Sequence, residues 1–266
     1  MKLGCSTILF GGYSLDEALD GIVQAGYGAI ELCTIPGMAP HLELGQPEAY
    51  YAEVRAKVAD RGLVIESIGA SGRLNHDDPS QFVLVLEAAA ALGAPAVTSG
   101  PGGKADDWES LKRVAATLND LAPQAAELGV KISLKPHVRN AMYDTPSALR
   151  LMEMVDTRWI GLNVDASHLW RTPSHEIPEA SIPKLAPYIV TARIRDTLSR
   201  DLPIGPVETQ IPGGGAMNLP AIAAALKAVP GLEYVTLEIV GTKDYPKDEV
   251  QKIVEVCRER LEPLFV

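Results

Sequence analysis

The stretch "LDEALDGIVQAGYGAIEL", residues 15–32, runs a helix pattern into a glycine and then straight into a short apolar strand. "AAELGVKISL", residues 125–134, repeats the device, with a glycine of the kind that closes a helix. The alternation continues from end to end. Candidate strands at 2–8, 28–33, 64–69, 95–99, 130–135, 160–165, 188–194 and 233–239 are separated by segments with apolar residues at helical spacing. Eight strand–helix units in one continuous series predict a parallel sheet covered by helices, and eight is the number that closes a (β/α)8 TIM barrel. The chain of 266 residues is long enough for one such barrel and holds no linker or low-complexity tract. Residues 1–266 are therefore expected to form a single domain.

Composition narrows the partners. A net charge of −10 with no stripe of Lys or Arg argues against a nucleic acid. No apolar run reaches the length of about eighteen residues needed to cross a bilayer. The opening "MKLGCSTILFGG" enters a strand pattern without the longer apolar core of a signal peptide. Cys5, Cys33 and Cys257 share no metal-type spacing and read as free thiols of a cytoplasmic protein. The sequence leaves a homo-oligomer open.

Strand alternation decides which side chains look into a barrel. In "GAIELCT", Ile30 and Leu32 turn outward, so Glu31 turns in. The same rule puts Ser133 and Lys135 of "KISLK" inside, with Asn163 and Asp165 of "IGLNVDASHLW". Thr191 and Arg193 of "YIVTARIRD" follow, as do Thr236 and Glu238 of "YVTLEIVG". Five strands thus end on an inward charge: Glu31, Lys135, Asp165, Arg193 and Glu238. One such residue reads equally well as a solvated strand end. Five in phase read as a polar active-site floor, since an inward charge is costly unless paired or used.

Two long connections, "RTPSHEIPEASIP" after strand six and residues 195–217 after strand seven, are expected at the carboxyl-end mouth, the second as a lid. "TSGPGGK", residues 98–104, lacks the spacing of a nucleotide-binding loop; its glycines read better as turns needing positive φ. His137 and His168 follow strands five and six and are candidates for substrate contact, with a neutral hydrogen-bonding role as the alternative for each. Trp170 is a candidate for stacking on a sugar face, with core packing as its rival.

These motifs together resemble those of the sugar phosphate isomerase/epimerase superfamily, the xylose-isomerase-like TIM barrels. The resemblance covers essentially the whole chain. It rests on "GYGAIEL", "SLKPHV", "GLNVDASHLW", "TARIRDT", "IPGGGAMN" and "YVTLEIVG". It implies a divalent ion (manganese, zinc, magnesium or cobalt) held by a glutamate on strand five, an aspartate on strand six, a histidine on strand seven and a glutamate on strand eight. Asp165 and Glu238 match two of these positions, whereas Lys135 stands for the glutamate and Arg193 for the histidine. An ammonium and a guanidinium have no lone pair for a metal. No metal cofactor is therefore expected, the two cations taking the ion's electrostatic place.

The resemblance further implies a small carbohydrate-like substrate, a keto-sugar, polyol or related hydroxy-carbonyl compound. The chemistry it implies is isomerisation or epimerisation, in which a proton leaves the carbon beside a carbonyl and an enediolate is stabilised. Lys135, Asp165, Arg193 and Glu238 are the expected catalytic set, and Glu31, His137, His168 and Trp170 the expected substrate contacts. Lyase chemistry stays open. So does a non-catalytic sugar-binding or scaffold barrel with a salt-bridged floor.

Overall fold

The computed structural model describes residues 1–200 and 203–265. Its helices begin and end on local signals. The Ser14 hydroxyl accepts from the Glu17 N–H while the Glu17 carboxylate accepts from the Ser14 N–H, a capping box that starts the helix Leu15–Gln24. Gly93 and Gly129 end the helices Ser80–Leu92 and Trp108–Leu128 with φ of +70° and +68°, satisfying the last carbonyls and dropping the chain back to the sheet.

The sheet comprises β1 (Lys2–Ser6), β2 (Ala29–Ile35), β3 (Val64–Gly69), β4 (Ala96–Ser99), β5 (Lys131–Leu134), β6 (Ile160–Asp165), β7 (Ile189–Ile194) and β8 (Tyr234–Leu237). Each pairs in parallel with its neighbours, and β1 pairs with both β2 and β8, which closes the ring. This is the (β/α)8 TIM barrel. Strand β1 stops at Ser6, two residues short of its expected end. The Ser6 hydroxyl caps the 3-10 turn Thr7–Phe10 and takes those residues out of the ladder.

Alternation sets the two faces. Ile132, Leu134, Leu162, Val164, Val235 and Leu237 are buried in the apolar core that includes the helices' inner faces. Inside the barrel, Ser133 Oγ and Thr191 Oγ1 meet at 2.8 Å. Pairing outlasts the strands at the mouth: the Lys135 N–H donates to Ser99 O and the Glu238 N–H to Ile194 O, so both side chains keep their inward phase.

One strand breaks the rule. Ile30 of β2 faces Ile65 of β3, but Glu31 faces Ser67, leaving Glu66 as an extra residue in a β-bulge. Glu66 and Ser67, adjacent in the chain, consequently both reach the same guanidinium inside the barrel, that of Arg193, at 3.0 and 2.8 Å.

The connection after β7 is folded around Asp196. Its carboxylate accepts from the N–H groups of Thr197, Gly213 and Met217 at 2.8, 2.9 and 3.2 Å. A Cβ on Gly215 would run into that carboxylate, which accounts for the glycine there. The expected lid, 195–217, includes residues 201 and 202, which lie outside the described residues; Pro203 and Ile204 from it line the cavity at the mouth. Among the described residues no helix is long and apolar enough to cross a membrane.

Candidate active site

The charged side chains of the barrel mouth form two layers. The deeper one is centred on Arg193, which is fully buried. Its guanidinium lies 2.6 Å from Glu31 and 3.0 Å from Glu66. Glu31 also accepts from the hydroxyls of Ser6 (2.7 Å) and Thr98 (2.6 Å). Burial alone would raise the Glu31 pKa. Arg193, then Lys135 and the two hydroxyls, outweigh it and bring the group down to about 2. Burial raises the pKa of Glu66, with Glu31 adding to the rise and Arg193 opposing it.

The upper layer surrounds Lys135. Its ammonium donates to both oxygens of Glu238, at 2.7 and 2.6 Å, and sits 3.5 Å from Asp165. The second cation here is Arg195, which alternation places in phase with Arg193 one step beyond the strand. Arg195 Nη2 donates to Asp165 at 2.7 Å, Nε donates to Ser167 Oγ at 2.8 Å, and Nη1 is 3.6 Å from Glu238. The other Asp165 oxygen accepts from the N–H and hydroxyl of Ser167. Burial opposes the charge on Asp165, but Arg195 foremost among its partners holds the carboxyl well below the usual range. Arg193 touches this layer only through Glu238, at 3.7 Å.

Above the floor lies a cavity of about 410 Å³. Of the expected site residues, Glu31, Lys135, His137, His168 and Glu238 line it. Asp165 and Arg193 are sealed beneath. Trp170 is outside the lining, its ring covered by the Arg200 guanidinium at 3.3 Å. The His137 and His168 rings are 4.4 Å apart. Burial holds both histidines below their ordinary pKa, His168 well below it. The 3.8 Å approach of His168 to Asp165 is therefore that of a neutral ring. Arg195, which lies within the stretch "TARIRDT" but beyond the strand residues that alternation singles out there, and Arg171 and Glu66, which lie in none of the motifs that carry the resemblance, belong to the cluster as well.

These shifts define a pH dependence. Unfolded histidines protonate near about 6.5, whereas folded His168 and His137 resist protonation. Below that pH the unfolded chain binds the extra protons, so stability falls as pH drops from about 7 to about 5, by at most ~1.4 kcal/mol per pH unit for each histidine. A second loss follows between about pH 4.5 and 2, because Glu31 and Asp165, with lowered folded values, must then be protonated. Urea midpoints measured across this range test the expectation. A midpoint that stays level from pH 7 to 5 would contradict it.

A divalent ion needs free lone pairs, and this floor has few. Both Glu238 oxygens rest on Lys135, and Asp165 is engaged by Arg195 and Ser167. Among the described residues no group of three or more His, Cys, Asp or Glu side chains is arranged to hold a metal. The donor set does not fit a divalent metal centre.

A closed parallel barrel with its polar cavity at the carboxyl ends of the strands defines the TIM-barrel class, in which that face carries the chemistry. Within it, the chain belongs to the xylose isomerase-like TIM barrel family, whose model matches residues 19–260. No curated protein sequence matches the chain. Among solved structures it is similar to the IOLI protein with a bound zinc atom (22% identity, TM-score 0.79, covering 100% of this chain and 99% of that one). It is similar also to the probable 3-DHS dehydratase AsbF of petrobactin synthesis from Bacillus anthracis (19%, TM-score 0.77, 96% and 98% covered). A third is the D-allulose 3-epimerase from a Methylomonas species in complex with D-allulose (16%, TM-score 0.75, 100% and 97% covered). At these identities the likeness is one of fold.

Proposed function

We propose that the chain is an isomerase- or epimerase-type enzyme acting on a small keto-sugar or related hydroxy-carbonyl compound, with side-chain cations doing the electrostatic work of a metal. One observation carries the reading: Glu238 is a cavity-lining carboxylate held on both oxygens by Lys135, with Arg195 3.6 Å away. Glu31 also lines the cavity, but it is saturated by Arg193, Ser6 and Thr98 and is a weak base.

In this mechanism the Glu238 carboxylate takes the proton from the carbon beside the carbonyl. The C–H electron pair moves into the carbon–carbon bond as the carbonyl oxygen becomes an oxyanion. Neutralised Glu238 loosens its hold on Lys135, whose ammonium turns to the oxyanion beside Arg195. Delivery of a proton to the opposite face of the same carbon gives an epimer; delivery to the former carbonyl carbon, with the proton of the adjacent hydroxyl passing to the oxyanion, gives an isomer. Asp165 is a positioning residue that fixes Arg195. The bonds between Lys135 and Glu238 also suit an inert, salt-bridged sugar-binding barrel, which would hold ligand without exchanging its protons.

The deciding experiment follows deuterium incorporation from heavy water into a panel of ketoses and aldoses by NMR. Exchange beside the carbonyl in at least one supports the enzyme, and exchange in none supports the inert barrel. Exchange is further expected to be unchanged after dialysis against EDTA. Loss of activity with restoration by a divalent metal would overturn the metal-free mechanism.

A further inference from the structure

We propose that the ligand of this cavity is a carboxylate anion, bound by Arg171 at the floor with Arg139 at the rim. The inference rests on the reading of the cavity as a substrate site and names the class of substrate it takes.

The first ground is charge. The upper layer sets Lys135, Arg171 and Arg195 against Asp165 and Glu238, three cations against two carboxylates, in a chain whose net charge is −10. In the deeper layer Arg193 alone faces Glu31 and Glu66, so over both layers four cations meet four carboxylates, and what singles out Arg171 is its place, not the total. Lys135 has Glu238 and Arg195 has Asp165. Arg171 is only 5% exposed and lines the cavity, yet among the described residues no carboxylate lies within 4.0 Å of it. A buried guanidinium without a counter-ion is costly unless one is supplied.

The second ground is a shortage of acceptors. Arg171 Nη2 points at His168 Nδ1 (3.4 Å), while Arg195 Nη2 points at His168 Nε2 (3.2 Å). A neutral imidazole has a lone pair on one nitrogen only, so it cannot accept from both. Arg195 Nη2 is already satisfied by Asp165. Arg171 spends its Nε on Ser167 O at 3.1 Å, and among the described residues its guanidinium has no other protein acceptor than His168 at the cavity it lines. Burial and the neighbouring Arg195 lower its pKa to about 10, the crowding that a bound anion would relieve.

The rim adds a further cation. Arg139 is exposed, lines the cavity and has φ +72°. That left-handed conformation is uncommon outside glycine and asparagine. The turn holds it there: His137 N–H donates to Met142 O, Asn140 N–H to His137 O, and Ala105 N–H to Arg139 O. Arg171, buried at the cavity wall without a carboxylate of its own among the described residues, suits a monoanionic carboxylate, whose two oxygens fit a guanidinium edge.

Calorimetric titration of the full chain with D-fructose, D-fructuronate and D-fructose 6-phosphate, which differ at one terminal carbon, tests the proposal. D-Fructuronate is expected to bind about tenfold or more tightly than D-fructose, as a charge-assisted hydrogen bond implies, and the advantage should shrink with added salt. Arg171→Gln should abolish the advantage. Arg139→Ala should reduce it, and serves if Arg171→Gln does not fold. Equal affinity for fructose and fructuronate, no fructuronate binding, tighter binding of the phosphate, or a preference that survives both substitutions would each overturn the assignment. Binding is read independently of turnover. Carboxylate preference without proton exchange would leave this site standing and remove the proposed reaction; exchange on neutral sugars without preference would do the reverse.

Discussion

Arg193→Met is expected to destabilise the barrel by about 3–5 kcal/mol, the usual cost of stripping one partner from a buried ion pair. Methionine keeps most of the side chain's bulk, so the loss is electrostatic more than steric. Two carboxylates, Glu31 at 2.6 Å and Glu66 at 3.0 Å, lose their shared guanidinium together. Glu66 has an escape, because its pKa is already raised by burial. Without Arg193 it takes up a proton, which caps the cost and makes it depend on pH. The destabilisation should be larger at about pH 8 than at about pH 5.5, and Glu66→Gln in the same background should recover part of it. Urea unfolding of the variants at both pH values checks this. A midpoint equal to that of the unsubstituted chain would mean that the deep layer contributes nothing to the fold.

The largest effect on chemistry is expected from Glu238→Gln. Removing a positioned general base typically costs about 10²–10⁴-fold in rate, and deuterium exchange should slow by that factor. The substitution leaves Lys135 within 3.5 Å of Asp165 and Arg195 bonded to it, so the upper layer keeps its cations and folding should survive. Ligand affinity is expected to change far less than rate. Exchange at the original rate in the variant would remove Glu238 from the mechanism and turn attention to Lys135 as the base.

The barrel was legible because its signals are local. Ser14 with Glu17, Gly93 and Gly129 mark helix ends within a few residues of chain, and apolar phase marks the strands. Much of the charged floor was legible for the same reason, since Glu31, Lys135, Asp165 and Glu238 obey strict alternation. The same phase would have reached Arg195 had it been followed one step past the strand end. Glu66 could not be found that way: a bulge is a property of two strands in register, and neither sequence alone records it. Trp170 and Arg171 lie beyond β6, in and just after the short helix Ala166–Trp170, where strand alternation no longer applies. Stacking of Trp170 under Arg200, thirty residues on, is a tertiary fact with no periodic trace.

Lys135 and Arg195 differ from a bound ion in one further respect. A metal ion is a sphere that accepts donors from many directions and exchanges with the medium. An ammonium and a guanidinium are tethered to the chain, present from the moment of folding, and donate only along fixed N–H vectors. With Lys135 aimed at Glu238 and Arg195 at Asp165 and Ser167, the positive charge of this floor cannot leak away, be captured by a chelator or be swapped for the wrong element. It has also lost the freedom to follow a ligand that arrives at an unfamiliar angle. Permanence is thereby exchanged for direction, and the orientation of each incoming oxygen is dictated by the covalent frame of the barrel itself.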